Sequence, residues 1–149
     1  MESIIKATVS DASEIHSLQK LAYISEAEFY NNYEIEPLKQ SVQDVEKAFE
    51  HFLVLKYMYH GKIVGSVRAH ESEETCYIGR LMVHPDFQNR GIGKKLMSEV
   101  ELMFAHCRYE LFTGSKSTKN ISFYEKLGYK GYKTQKLDRE ETVFLFMEK

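Results

Sequence analysis

The sequence predicts a single α/β domain in which a mixed central sheet of about seven strands is flanked by about four helices. A chain of 149 residues has the usual size of one domain and can bury a sizeable core. The spacing of its apolar residues switches repeatedly between the period of a strand and that of a helix. No repeat, low-complexity tract or proline-, glycine- or serine-rich linker divides the chain. We therefore expect one domain over residues 1–149.

The composition argues against several classes of partner. Hydrophobic residues make up 43% of the chain and charged residues 28%, as in ordinary globular proteins. The net charge of −2 lacks the basic character of a nucleic-acid-binding protein. The apolar runs are too short to span a bilayer, and residues 1–3 do not resemble a signal segment. We therefore expect a cytoplasmic protein without nucleic-acid or membrane partners.

The cysteines and histidines form no metal-binding or disulfide pattern. Cys76 and Cys107 stand alone, and the six histidines include no H-x-x-x-H pair. Cys76 falls within a predicted strand, where a small buried side chain is a simpler interpretation than a nucleophile. We therefore expect no metal cofactor.

The first third of the chain predicts one strand followed by two helices. Residues 3–8 form the strand, and Asp11 with Glu14 has the form of a capping box at the start of the first helix. Residues 31–33 end this helix, and Ser41 starts a second one that runs to about residue 50. The apolar positions with helical spacing in the first helix are Ile15, Leu18, Ala22 and Phe29.

The remainder of the chain predicts mainly strands. Two runs, 52–59 and 62–70, form a hairpin around a turn at His60-Gly61, and another strand follows at 75–84. The later elements are a helix at 91–106, a strand at 110–114, a helix from Ser117 or Thr118 to Gly128, and strands at 129–135 and 141–148 around a turn at Asp138-Arg139. The order β-α-α-β-β-β-α-β-α-β-β is that of an α/β sheet with a hairpin meander and helical crossovers.

A glycine-rich segment joins the strand at 75–84 to the next helix. Gln88, Gly91 and Gly93 occupy the pattern Q/R-x-x-G-x-G/A. Free backbone N–H groups and the helix dipole attract phosphate at a helix start, and glycines let a bulky anion approach the main chain. Positive charge at this place comes from Arg90, Lys94 and Lys95.

Two other phosphate-binding patterns fail at particular residues. A P-loop would need its first glycine at Gln88 and its serine or threonine at Lys95. A dinucleotide fingerprint would need its third glycine at Leu96. An ATP site would also need a magnesium-binding carboxylate, and none is obvious near the loop.

The loop, with the strand before it and the amphipathic helix after it, resembles the coenzyme A pyrophosphate loop of the GCN5-related N-acetyltransferase (GNAT) family. The element order resembles the GNAT fold over essentially the full chain. The resemblance implies acetyl-CoA as co-substrate, with the strand offering backbone groups to the pantetheine. The implied cofactor-binding residues are Leu81, Met82, Val83, Gln88, Asn89, Arg90, Gly91, Ile92, Gly93, Lys94 and Asn120.

A second segment, residues 120–129, resembles the late coenzyme-binding helix of this family, with its N-x-x-x-Y and F-Y-x-x-x-G-F/Y patterns. Asn120 and Tyr124 are four residues apart and share one helix face. The resemblance implies that Asn120 contacts the pantetheine arm and that Tyr124 is the catalytic general acid. A phenol with a pKa of about 10 is protonated at neutral pH and can supply that proton. Taken alone, Tyr124 would be read as a core aromatic beside Phe123.

The general base is left open by the sequence. An alkylamine is roughly 10³-fold more protonated than free at pH 7, so the attacking amine has to lose a proton. Many family members place a carboxylate on the strand before the loop, but residues 75–84 contain none. The alternatives are the turn carboxylates, the strand-end histidine or a water, that is Glu71, Glu73, Glu74, His84 or solvent.

We expect an acetyl-CoA-dependent N-acetyltransferase that acts on a primary amine by direct attack in a ternary complex. The acceptor is the amine of a small molecule or of a peptide or protein. Residues 30–37, rich in aromatic and acidic side chains, either line its site or form a solvated loop. The alternative function is a non-catalytic coenzyme A-binding sensor or regulatory module. Acceptor identity, acyl chain length and oligomeric state stay open, with a homodimer among the options.

Overall fold

A computed structural model describes residues 1–137 and 141–149 and contains one mixed sheet of seven strands. The strands are β1 Glu2–Lys6, β2 Leu53–Tyr59, β3 Lys62–Ser72, β4 Thr75–Val83, β5 Arg108–Gly114, β6 Lys130–Lys136 and β7 Val143–Glu148. The helices are α1 Ala12–Tyr30, α2 Glu36–Lys39, α3 Val42–Ala48, α4 Ile92–Met103 and α5 Thr118–Lys126. The predicted fold class is confirmed, with the single turn α2 as an addition. The predicted turn at Asp138-Arg139 lies outside the described residues.

The sheet has the strand order β1-β2-β3-β4-β5-β7-β6. All neighbours pair antiparallel except β4 and β5, which are parallel and are connected through α4. The hairpin between β2 and β3 turns at His60 and Gly61, whose φ angles of 48° and 80° suit a tight two-residue turn. The parallel pair at the centre of the sheet is therefore the place where the chain crosses over.

Helices cover both faces of the sheet and bury two apolar clusters. On one face, α1 and α3 pack over Val54, Ile63 and Met82. On the other face, α4 packs over residues of β2 to β5, with Leu96 and Met97 almost fully buried, and side chains of α5 join the same cluster. No helix among the described residues combines the length and apolar character needed to cross a bilayer.

The start of α1 differs from its prediction. A short 3₁₀ turn at Val9–Asp11 precedes the helix, and Asp11 already has helical backbone angles, so its side chain does not cap α1. The Asp11 carboxylate instead accepts a hydrogen bond from the backbone N–H of Thr8, at 2.9 Å, and pairs with Lys56. Glu14 accepts from the backbone N–H of Ile63 on the sheet, at 2.9 Å. The predicted capping box is therefore wrong, because both carboxylates serve other partners.

Candidate active site

The central parallel strands separate partway along their length. β4 and β5 pair only at Thr75–Arg108, Cys76–Tyr109 and Tyr77–Glu110. Beyond this point, the part of β4 that includes the predicted cofactor-binding residues 81–83 has no pairing with β5. Unpaired backbone groups on a strand edge can hydrogen-bond an extended ligand. The separation therefore leaves an unpaired strand edge, here called the slot, that suits a chain-like molecule.

A β-bulge in β4 lies beside the slot. The register with β3 shifts between Ser66 and Arg68, so two residues of β4, Arg80 and Leu81, lie opposite one residue of β3. Arg80 has a φ angle of +49°, which is uncommon for a residue with a side chain. Leu81 and Val83 pack with the α4 cluster, whereas Arg80 and Met82 line a small cavity on the α1 face.

The glycine-rich segment starts α4 as predicted. Gly91 is the residue before the helix, with a φ angle of +83°, and a Cβ built on it would meet no atom within 4 Å. Asn89 also has a positive φ, of 63°. The Gln88 side chain donates to the carbonyl of Val83 at 3.2 Å, and the Arg90 guanidinium lies 5.0 Å from the centre of the Phe87 ring. The Gln88 contact thus fixes the loop to the end of β4, and Gly91 leads it into α4.

Gly93 has a packing role that its motif position did not predict. A Cβ on Gly93 would lie 3.3 Å from the ring of Phe123 and 3.9 Å from Leu81. The small residue lets α5 approach the start of α4 and the end of β4 together. The structure therefore brings the two predicted cofactor-binding segments into contact.

On α5, the predicted pair lies beside the end of β5. The side-chain amide of Asn120 donates to the Thr113 hydroxyl at 3.5 Å. The Tyr124 ring packs edge-to-face against Phe123 and Tyr129, with centroid distances of 5.1 and 6.0 Å. Burial, with smaller contributions from Tyr23 and Glu26, raises the pKa of Tyr124 well above that of a free phenol. The phenol is therefore protonated throughout the neutral range, although burial also makes the release of its proton harder.

Helix α1 contributes a group of polar residues that the sequence reasoning missed. The Glu26 carboxylate accepts a hydrogen bond from the Ser117 hydroxyl. The hydroxyl oxygen of Tyr30 lies 2.9 Å from the hydroxyl oxygen of Ser117. Tyr23 lies one turn before Glu26, and its pKa is raised by burial and influenced by charges on Arg80, Arg68 and Glu26. The sequence did contain a signal for this group. Residues 23, 26 and 30 have helical spacing and lie on the face that begins with the apolar Ile15 and Leu18, but they are polar.

The turn carboxylates lie at the wrong end of β4 to act as a direct base. Glu71 pairs with Cys76 in the sheet, six residues before Met82, which corresponds to roughly 20 Å along a strand. The turn residues Glu73 and Glu74 precede β4 and are exposed. His84 accepts a hydrogen bond from the backbone N–H of Asp86 and caps a 3₁₀ turn. The three carboxylates thus lie away from residues 81–83, whereas His84 directly follows these residues.

Glu71 belongs to a separate polar cluster. Its carboxylate lies 3.0 Å from a ring nitrogen of His106, and the potential ligand atoms of Glu71, His106 and Cys107 lie within 4.8 Å of one another. These residues could hold a metal ion at the surface, at the end of the sheet away from the slot.

The segment at 30–37 is divided among three environments. Tyr30 accepts a hydrogen bond from the backbone N–H of Lys116, Tyr33 is 55% exposed, and Ile35 is buried. Gln19, buried on α1, donates to the carbonyl of Pro37 at 2.9 Å and anchors the following turn. Tyr30 contacts Lys116 and Ser117 between β5 and α5, near the slot.

A splayed parallel strand pair, a glycine-led helix start and a tyrosine-bearing helix define an α/β protein suited to an extended phosphate-bearing cofactor. The model of the acetyltransferase (GNAT) family matches residues 15–129. The chain therefore belongs to the GNAT family, as its two motifs predicted.

Individual relatives and one solved structure show how much of the chain is similar to known proteins. The chain is 30% identical over 129 residues to the UPF0157 protein YqkA of Bacillus subtilis, covering 84% of this chain but only 36% of that protein. It is 29% identical to an uncharacterized N-acetyltransferase, ycf52, of Porphyra purpurea, covering 74% and 71% of the two chains. The fold matches the PaiA N-acetyltransferase of Thermoplasma acidophilum in complex with coenzyme A, with a TM-score of 0.79, 18% identity, and coverage of 100% and 98%.

Proposed function

We propose that the protein is an acetyl-CoA-dependent N-acetyltransferase that acetylates a primary amine by direct attack in a ternary complex. The observation that carries the proposal is the slot between β4 and β5, which opens next to both the glycine loop and α5. The first N–H groups of α4 would hold the pyrophosphate, and the backbone of residues 81–83 with the Asn120 side chain would hold the pantetheine arm.

In the chemical step, the free amine attacks the thioester carbonyl, a C–N bond forms, and the C–S bond breaks. The strand backbone around Met82 would polarise the carbonyl oxygen. Tyr124 would give its proton to the departing thiolate. Its raised pKa keeps that proton in place at neutral pH, as this role requires. Neither cysteine takes part in this route.

Glu26 is the carboxylate that we assign to the amine. Its carboxylate accepts a hydrogen bond from Ser117, the residue before α5, and this contact supports a position for Glu26 near Tyr124. A carboxylate there can bind the ammonium form and receive its proton, directly or through water. This assignment replaces the strand carboxylate that many family members carry.

Two measurements test the proposal. Acetyl-CoA should raise the melting temperature, whereas ATP with magnesium should not. A free-thiol assay with acetyl-CoA and a panel of amines should then detect an acceptor. Absence of any acetyl-CoA binding would refute the cofactor assignment. Tight binding without thiol release across the panel would favour a coenzyme A-binding sensor or regulatory module instead.

A further inference from the structure

Two arginines lie together on the α1 face of the sheet. Arg68 on β3 and Arg80 in the β4 bulge both line the small cavity beside Met82, and both side chains are half-buried. The Nε atom of each is buried and has no hydrogen-bond partner. Within residues 1–137 and 141–149, no carboxylate forms an ion pair with either guanidinium.

This arrangement is unfavourable without a further partner. Burial, and then the charge of Arg80, lower the pKa of Arg68 to about 10. Arg68 is held in place by the Phe52 ring, whose centre lies 4.3 Å from the guanidinium carbon. Buried charges are normally paired, because an unpaired guanidinium loses hydration without gaining hydrogen bonds. The pair therefore has unused capacity to bind an anion.

The location of the pair links it to the acceptor rather than to coenzyme A. The glycine loop and α4 lie on the opposite face of the sheet, so these arginines are not part of the proposed phosphate site. Helix α1, which carries Tyr23 and Glu26, packs against β3 and β4, the strands that carry Arg68 and Arg80. The arginines and Glu26 thus lie on the same face of the sheet, the face from which we propose that the amine reaches the thioester.

We propose that the acceptor carries a carboxylate or a phosphate as well as its primary amine, and that Arg68 and Arg80 bind this anionic group. The ammonium end would then face Glu26. Arginine is suited to this role, because its planar fork can donate two parallel hydrogen bonds to one oxyanion. The cavity that both arginines line has a volume of about 20 Å³ and mainly apolar walls, so it has room for one oxygen of the anion and not for a bulky side chain. The inference rests on the proposed acetyl transfer.

The experiment compares amines that differ mainly in the group at the far end. β-Alanine carries a carboxylate, O-phosphoethanolamine a phosphate, ethanolamine a neutral hydroxyl, and putrescine a second cation. The twenty amino acids are tested beside their amides. Acetyl transfer is measured as kcat/KM for each amine, and binding is measured as the shift in melting temperature in the presence of coenzyme A. The anionic amines should exceed their neutral counterparts by about tenfold to a hundredfold, the usual effect of charge-assisted hydrogen bonds.

Variants assign the effect to the two residues. R68Q and R80Q should each lower kcat/KM for the best anionic acceptor by at least about tenfold, while the affinity for acetyl-CoA stays unchanged. R80K, which keeps the charge but loses the fork, should show a partial loss. K62Q is the control, since it removes a positive charge from an exposed position on the same strand as Arg68. It should leave the kinetics of the anionic acceptor unchanged.

The outcomes separate this inference from the proposed function. Preference for the carboxylate or for the phosphate series supports the inference and tells which anion is bound. Preference for ethanolamine, putrescine or the amides overturns it, and so does an equal effect of R80Q and K62Q. If acetyl-CoA binds but no anionic amine binds or reacts, the inference fails while the cofactor site stands. If acetyl-CoA does not bind, the proposed function itself fails.

Discussion

The glycine loop allows a test in which backbone strain and cofactor binding are measured separately. Gly91 and Gly61 have nearly equal φ angles, +83° and +80°, and a Cβ on either would meet no atom within 4 Å. Replacement by alanine therefore costs only the strain of a left-handed residue, about 1–2 kcal/mol in each case. For a chain of this size, that strain should lower the melting temperature by roughly 2–8 °C in both G91A and G61A.

The two variants should differ in their affinity for acetyl-CoA. The open space above Gly91 is where we propose that the pyrophosphate approaches the first N–H groups of α4, whereas Gly61 lies in the hairpin turn between β2 and β3. A methyl group at residue 91 would lengthen charge-assisted hydrogen bonds worth about 1.5–3 kcal/mol each. The loss of one such bond raises Kd by about tenfold to a hundredfold.

Isothermal titration calorimetry with coenzyme A measures this difference directly, and thermal unfolding of the unliganded variants measures the strain. G61A should bind coenzyme A like the parent protein. Equal affinities of G91A and G61A would refute the assignment of the loop as the pyrophosphate site. A much larger loss of stability in G91A than in G61A would show instead that the loop contacts are structural.

Three further predictions concern catalysis, packing and pH. Y124F should lower kcat for thiol release by about 10²-fold or more, with the Kd of acetyl-CoA nearly unchanged, and full activity would eliminate the acid role. G114A should lower the free energy of unfolding, measured with urea, by about 1–3 kcal/mol. The new Cβ would overlap the hydroxyl of Tyr30 and lie 2.8 Å from the Cζ of Tyr30. In a Y30A background this loss should largely disappear. The hydrogen bond to Glu2 raises the pKa of Tyr57 to about 12, so the unfolded chain loses this proton first as the pH rises. The free energy of unfolding should therefore fall by about 1.4 kcal/mol per unit between pH 10 and 12 from this residue, and Y57F should be less steep over that range.

Local patterns in the sequence were sufficient for the fold and for the glycine at the start of α4. The alternation in β2 to β4, the turn at Gly61 and the glycine at the start of α4 each depend on neighbouring residues, and the structure has these elements within a few residues of their predicted bounds. The start of α1 was mispredicted because Glu14 bonds the backbone of Ile63, a distant partner that no local pattern specifies. Phe29, which the helical spacing placed in the apolar stripe, is 61% exposed.

The residues that we propose for the acceptor could not be predicted from the sequence, because they come from separate elements. Glu26 lies on α1, Arg68 on β3 and Arg80 on β4, and each has an ordinary interpretation as a surface charge when it is taken alone. Gly79 was one usable signal, because a glycine inside a strand often marks a bulge. The loop motif and the Asn120–Tyr124 spacing indicated a cofactor. The residues proposed for the acceptor, in contrast, come together only when α1 packs on β3 and β4.

The bulge at Arg80 explains how one strand serves both faces. Cys76 and Ile78 pack against the α4 cluster, so strict alternation would carry Arg80 and Met82 onto that same apolar face. The extra residue shifts the alternation by one position, so that Leu81 and Val83 continue the apolar face and Arg80 is turned toward α1. The same shift occurs just beyond the last pairing with β5, where the slot opens. One left-handed residue therefore keeps a guanidinium out of the apolar cluster, places it on the α1 face where we propose that the acceptor binds, and lies close to the point where β4 and β5 separate.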